Sequence, residues 1–429
     1  RVTAAIAAEV ESAVYENRQR ADRSLALALK RRRDLAPPDQ RLISQAVFAL
    51  FRWHGWVEPL TRHQPIAARL LLSTLLDAPV VPGMCRVWAR DLGRNPAALV
   101  AIGDAPSWAT KVEGLRRLMG GKSVTGDPWR LFPEGLRDHL PVPPGDGSAR
   151  VRSAEFLRSI QARPSLWLRA QGSTGDPNAV WDELRTLGLK PWVHRRMKEA
   201  ARIDEAVDIY HLAPFVEGRI EIQDLASQAV GRACDPEPGE RWWDACAGAG
   251  GKAIELAALM GGKGTVVATD THAGRLKETV RRARKSPFRN ITTREWDGKH
   301  VSGKPGSYAG VLVDAPCSAI GTWRRNPDAR WLFDPASVDR LAAVQAQLLH
   351  TCAAGVKVGG TLVYSVCTPT PSETTLQVKA FLESHPNFAL DPFPHPFTGD
   401  PTDGTLTIWP ADTDNDLMFI ARMTRRAGA

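Results

Sequence analysis

The chain is poor in cysteine, with six in 429 residues: Cys85, Cys234, Cys246, Cys317, Cys352 and Cys367. No two form a CxxC pair, so neither a disulfide scaffold nor a cysteine-ligated zinc is expected, and no metal site is assigned. Long apolar runs are also missing. No stretch approaches the 18 residues of a membrane span, and the first 30 residues lack a secretory h-region. The expectation is a cytoplasmic protein with no membrane partner. Acidic residues fall short of basic ones, 47 against 56, giving a net charge of +9 and a pI near 9.4. That balance leans toward a polyanionic partner. Internal repeats and low-complexity tracts are absent. What remains is the composition of an ordinary globular protein, 43% hydrophobic and 24% charged, in a chain too long for one core.

Three regions follow from composition and periodicity. Residues 1–145 carry 21 basic and 14 acidic side chains and read as all-α, with apolar positions at three- and four-residue spacing through 21–35 and 41–56. Pro141-Val142-Pro143-Pro144-Gly145-Asp146-Gly147 is the clearest linker. Residues 146–235 read as a small α+β domain. Its strands are placed at 164–170, at 217–222 and, as a short patch, at 207–210, and its amphipathic helix at 178–189. Residues 236–429 alternate buried strands (242–246, 265–269, 309–313, 361–366) with helices (252–260, 273–285, 338–358). Such alternation predicts a mostly parallel, doubly wound α/β sheet.

The chemistry gathers at the ends of those strands. Asp244-Ala245-Cys246-Ala247-Gly248-Ala249-Gly250-Gly251-Lys252 follows the first of them and opens a helix, where small residues and free N–H groups admit a ligand. It meets neither the G-x-G-x-x-G fingerprint nor the phosphate-loop pattern, because Ala253 follows Lys252. Asp270, Asp297 and Asp314 each close or follow a strand. Any one of them reads equally well as a turn former, but three in register border a ligand crevice, Asp270 at the spacing of a ribose-binding acid. Asp314-Ala315-Pro316-Cys317-Ser318 and Val366-Cys367-Thr368 place two cysteines at the same sheet edge. A lone cysteine is usually a small core residue, and Cys85, Cys234, Cys246 and Cys352 are read so. Cys317 and Cys367, beside the aspartates, suggest thiolate chemistry. Arg275, Lys277, Arg281, Arg282, Arg284, Lys285 and Arg289 form a basic stretch, read as a solvated helix face or a phosphate track.

These motifs resemble those of the S-adenosylmethionine-dependent RNA cytosine-5 methyltransferases, the bacterial small-subunit rRNA enzymes of the Sun type and their nucleolar relatives. The resemblance spans residues 222–419. Ile222-Gln223-Asp224-Leu225-Ala226-Ser227-Gln228 is similar to the segment before their cofactor loop, and Asp244–Lys252 to the loop itself. Their Pro-Cys motif reappears at 314–318 with Gly321, followed by Arg324-Arg325-Asn326-Pro327-Asp328 and Trp331. Gln345, Leu348, Leu349, the stretch 359–365 and Cys367 with Glu373 continue in order. Residues 31–56 are similar, more weakly, to the antiterminator (NusB)-like RNA-binding domain at the front of the bacterial members.

The resemblance implies a Rossmann-like class I methyltransferase domain, preceded by an RRM-like α+β domain and the helical domain. It implies S-adenosylmethionine held by Cys246, Ala247, Gly248, Ala249, Gly250, Gly251, Lys252, Asp270 (ribose), Asp297 (adenine) and Asp314. Cys367 would be the nucleophile, Cys317 would assist release, and Asp314 would hold the base edge. RNA contacts fall to Arg275, Arg324, Arg325 and Trp331. The substrate is rRNA foremost, with tRNA second, and the protein is expected to be a monomer. A DNA-type enzyme would attack instead from the position of Cys317, and a catalytically idle RNA-binding factor would not need both cysteines. Three departures stand out: Ala249 where the family has Pro, Val366 where it has Thr, and Asp416-Leu417-Met418-Phe419 for Asp-Gly-Phe-Phe.

Overall fold

The computed structural model describes all residues but 101, 106, 122–123, 142–147, 173–175, 206 and 428–429, and for side chains also 148–154. The linker read at 141–147 therefore lies, beyond Pro141, outside the described residues. The described chain forms two compact units. One comprises Arg1–His139, Ile160–Arg163 and Trp323–Pro335; the other comprises Leu140–Ser159, Pro164–Thr322 and Ala336–Ala429.

The first unit is helical. Its longest helix, Pro37–Thr61, starts on two prolines, whose fixed φ suits the first turn and whose missing N–H costs nothing there. Ile43, Val47, Leu50, Phe51 and Val57 put a buried stripe along it, at the spacing an amphipathic helix requires. Arg52 on this helix is buried and reaches Asp77, 2.8 Å away. Arg163 meets the other oxygen of Asp77 at 2.6 Å, and the Trp53 indole donates to Asp77 at 3.0 Å. Burial pushes the Asp77 carboxyl up, but Arg52 and Arg163 outweigh it and hold the group below the usual carboxylate range.

Residues 323–335 belong to this unit. Arg330 is fully buried and donates to the carbonyls of Leu131, Ile160 and Trp323 and to Gln161 Oε1. The Arg324 guanidinium donates to the Arg163 carbonyl at 2.8 Å.

The second unit holds two sheets on a shared core. The smaller sheet has β1 (Leu166–Ala170), β2 (Trp192–Val193), β3 (Ala200–Ile203) and β4 (Ile220–Ile222), ordered β2-β3-β1-β4, with every pairing antiparallel. Helix Pro177–Thr186 connects β1 to β2, as the sequence suggests. The patch at 207–210 is not a strand. Asp208 accepts the Tyr210 N–H at 3.2 Å and starts a 3-10 turn, Ile209–His211, a local cap that overrides the β-propensity of the patch.

The larger sheet contains β5 (Arg241–Asp244), β6 (Thr265–Asp270), β7 (Ile291–Glu295), β8 (Tyr308–Asp314), β9 (Val356–Val366), β10 (Phe388–Leu390), β11 (Thr405–Ile408) and β12 (Met418–Arg425). Its order is β10-β12-β9-β8-β5-β6-β7, with β11 paired to β12. The strands from β7 to β9 are parallel, and β12 is antiparallel to β9. This is the mixed α/β architecture expected. The helix read at 338–358 stops at Ala353, because Val356 already begins β9, whose apolar side chains fill the sheet core. Trp167, Met197 and Ala200 share one core cluster with Ile254, Leu312 and Ile420, which joins the small sheet to the large one where the sequence reading draws a boundary near 235.

Asp77→Ala removes the acceptor that neutralises two arginines and leaves the buried Arg52 without its charge partner. Breaking such a pair costs about 3–5 kcal/mol, so urea unfolding of the full chain should show a loss of that size. A loss below about 1 kcal/mol would make the ion cluster incidental.

Candidate active site

The order of the large sheet reverses between β5 and β8, so the C-terminal ends of those strands border a crevice. The loop after β5 turns sharply there. Gly248 has φ +56° and Gly250 φ +85°, backbone states that favour glycine, and a Cβ on Gly250 would come within 2.6 Å of Thr279 Cγ2. The Gly248 N–H donates to Asp270 Oδ2 at 3.0 Å, and the His272 N–H to Oδ1 at 2.8 Å. The Thr279 hydroxyl closes on the Gly248 carbonyl at 2.9 Å. Arg282 fixes the loop from outside, donating to the Ala249 carbonyl at 2.9 Å and to Glu221 at 2.7 Å. Part of the basic stretch is thus loop scaffolding, not solvated surface. Helix Gly251–Leu259 starts directly behind, with its first N–H groups at the loop.

Lys252 lies on that helix and meets Asp314 Oδ2 at 2.7 Å. Burial disfavours its charge, but Asp314 outweighs burial and keeps Lys252 protonated. The Ser365 hydroxyl holds the second Asp314 oxygen at 2.8 Å. Asp244, which sequence reasoning placed in the loop motif without a role, is fully buried. Neither of its carboxyl oxygens has a hydrogen-bond partner among the described residues. Burial, and next the Asp314 charge, push it up to about 8. A strand-end acid two residues before a glycine loop was the available signal.

The two cysteines converge. Cys317 Sγ and Cys367 Sγ stand 3.4 Å apart across a sequence separation of 50. The hydrogen bond to Cys367, and then burial, push the Cys317 thiol up. Behind them sits Glu373, fully buried. Its Oε1 accepts the Ser318 N–H and Gln345 Nε2, both at 2.9 Å. Its Oε2 accepts the Ser318 hydroxyl at 2.5 Å and the Thr370 hydroxyl at 2.6 Å. One carboxylate thus ties both cysteine loops. Sequence reading noted Glu373 in the motif and missed this task.

The remaining sequence-derived residues have local settings of their own. Asp297 is exposed and caps its own loop through the N–H groups of Lys299 and His300, and the His300 side chain, then those caps, hold it at about 2. Arg275 is exposed, its guanidinium 4.0 Å from Asp270. Arg324 is buried and Trp331 donates its indole N–H to the Phe51 carbonyl at 2.7 Å. Both belong to the helical unit, where Arg324 has no surface to offer RNA and Trp331 is half-buried. Their position just after Cys317 suggested proximity, but the segment folds into other packing. Arg325 is exposed in that same segment. Val366 is buried opposite Phe419, an apolar setting that needs no hydroxyl.

Residues 232–424 match the model of the family described as 16S rRNA methyltransferase RsmB/F. That stretch, a little under half of the chain, is similar to the methyltransferases of that family. A Synechocystis protein named "Probable ribosomal RNA small subunit methyltransferase B" is 29% identical over 91% of this chain and 92% of its own length. Ribosomal RNA small subunit methyltransferase B of Salmonella newport is 30% identical over 63% of this chain and 62% of its own length. Among solved structures, PH0851 matches with a TM-score of 0.76 at 22% identity over 99% of both chains. A methyltransferase homolog protein from Pyrococcus horikoshii matches with a TM-score of 0.56 at 24% identity, over 64% of this chain and 91% of that one. These structures support the fold.

The RsmB/F cofactor fits the residues present. A glycine loop open to backbone approach, a helix N-terminus that favours an anionic group and the buried, unpartnered Asp244 carboxyl form a cradle suited to a polar, zwitterionic ligand.

Asp270→Ala removes an acceptor that orders the loop and borders the cradle. Charge-assisted hydrogen bonds are worth about 1.5–3 kcal/mol, so calorimetry should find S-adenosylmethionine bound roughly 10- to 100-fold more weakly. Unchanged affinity in a folded variant would remove Asp270 from the site.

Asp244 makes a pH prediction. A carboxyl raised from about 4 in the unfolded chain to about 8 in the folded one stabilises the fold fully only below the lower value. The cofactor-free protein should lose thermal stability as pH rises from about 4 toward 8. Asp244→Asn should flatten that slope; an identical pH profile would show that Asp244 does not titrate abnormally.

Proposed function

We propose that the protein transfers a methyl group from S-adenosylmethionine to C5 of a cytosine in RNA through a covalent Cys367–C6 intermediate. The contact that carries this reading is the meeting of Cys317 and Cys367 beside Asp314. The names of the relatives support rRNA as the foremost substrate, with tRNA second. By the resemblance already described, residues 1–145 act as an RNA-gripping domain ahead of an RRM-like domain and the catalytic domain. The enzyme works as a cytoplasmic monomer.

Cytosine C5 is a weak nucleophile. Addition of the Cys367 thiolate at C6 gives C5 enamine character, and hydrogen bonding at N3 assists the addition. Asp314, ion-paired with Lys252, holds the base edge. When bound, the cofactor supplies an electrophilic methyl on a sulfonium. After transfer, the C5 proton passes to solvent water, the C5–H electron pair re-forms the C5–C6 double bond, the C6–S bond breaks and Cys367 returns to thiolate, with Cys317 assisting this elimination. The target base must leave any stack to reach these groups.

The two cysteines are separated by their products. Cys367→Ala should abolish turnover and any covalent RNA adduct. Cys317→Ala should still attack and methylate but release slowly, so a denaturant-resistant protein–RNA complex should accumulate on a gel. A covalent band with Cys367→Ala that is absent with Cys317→Ala would reverse the assignment and favour the DNA-type mechanism.

A further inference from the structure

The small sheet has the strand order of a fold whose open face commonly stacks nucleic-acid bases, yet here neither face is open. Leu168, Ala170, Ala201 and Ile220 pack with Trp181 and Leu184 on one side. Trp167 and Ala200 join the core of the large sheet on the other, where Arg169 is buried and donates to Gln223 at 2.6 Å. What stays accessible is the outer edge, β2 and the turn after it. Trp192 is 46% exposed there, its ring held edge-on by Trp167 at 5.9 Å and covered by Arg202 at 5.3 Å. Lys190, Arg195, Arg196 and Lys198 are exposed around it, without ion pairs among the described residues. The Arg196 guanidinium lies against Gly399, where a Cβ would approach within 2.5 Å.

This edge connects to the catalytic loops through short contacts. Trp167, beside Trp192, donates its indole N–H to the Asp414 carbonyl at 3.0 Å. A few residues on, the Leu417 N–H donates to Gly321 at 3.2 Å, and the Gly321 N–H to Cys367 at 2.9 Å.

We propose that the β2 edge is a docking strip for single-stranded RNA, a base stacking on Trp192 while Arg195, Arg196 and Lys198 track the phosphates. The proposal rests on the RNA-methylating reading of the crevice and names a surface that presents the strand to it. An aromatic face accepts any base, and neighbouring cations add a salt-dependent, sequence-tolerant attraction. A sheet with both faces in core has no other platform to offer.

The test uses the full-length protein and a labelled single-stranded oligoribonucleotide, with affinity measured across salt concentrations. Trp192→Ala should weaken binding roughly five- to hundredfold with an unchanged salt slope. The paired change Arg195→Gln and Arg196→Gln should flatten the slope by about 1.4, at about 0.7 per phosphate contact on a single strand. Both variants should bind S-adenosylmethionine as the parent does and should raise KM for RNA while leaving kcat unaltered. Parent-like affinity and salt slope in both variants would overturn the strip, as would a fall in kcat with KM unchanged. If the parent methylates no RNA while the variants still lose affinity, the methylation reading fails and the docking strip stands.

Discussion

Two loops fifty residues apart in sequence have to bring their sulfur atoms to one point, and a single buried carboxylate holds them there. Glu373 receives donors from Ser318 on one loop, from Thr370 on the other and from Gln345 on helix Ala336–Ala353. Gln345 adds a bond to the Pro316 carbonyl at 2.9 Å, and the Tyr364 hydroxyl reaches Gln345 Oε1 at 3.0 Å. A buried carboxylate with this many donors is stable, whereas the same group half-satisfied would be costly. The network therefore has one well-defined arrangement. That arrangement sets the distance between the two sulfur atoms.

The cofactor cradle is held by a second set of buried charges, reached from the small sheet. Arg169 on β1 donates to Gln223, and Gln223 donates to Glu255 at 2.7 Å on the helix that follows the glycine loop. Burial pushes the Glu255 carboxyl up to about 7, against the pull of Arg169. From β4, Glu221 holds Arg282, which in turn holds the Ala249 carbonyl. The family's Pro is replaced at Ala249, and this external tether restrains the backbone at that position. The small sheet thus serves the crevice as a scaffold, and this role explains why its faces are both buried.

The sequence made the strand ends legible because parallel strands are apolar throughout and polar residues at their ends stand out. Asp270 and Asp314, the glycine loop and both cysteines could be placed by that contrast alone. It failed where a local hydrogen bond or a distant packing partner decides the outcome. Asp208 turned an apolar patch into a 3-10 turn, and β9 claimed residues 356–358, whose helical spacing was only apparent. Arg324 and Trp331 illustrate the harder case. Their charge and aromaticity resemble an RNA-contact signature, but a buried arginine bound to backbone carbonyls has the same letter in the sequence as an exposed one. Glu373 was visible as a residue and silent as a role, since four donors from three segments leave no pattern along the chain.

The placement of residues 323–335 constrains how the chain can be divided. They interrupt the catalytic unit soon after Cys317, yet Arg330 and Trp323 are buried among the helices. Arg330 alone serves three carbonyls and Gln161, a set that only the folded helical unit provides. A cut near residue 145 would therefore not yield a self-sufficient catalytic fragment. It would strip the Leu131 carbonyl from Arg330 and the Phe51 carbonyl from Trp331 on the segment that continues from the Pro-Cys loop. The helical region is consequently part of the folding problem of the rest of the chain. Changes to its surface charge leave Arg330, Arg52 and Asp77 in place and so spare the fold in a way that truncation does not.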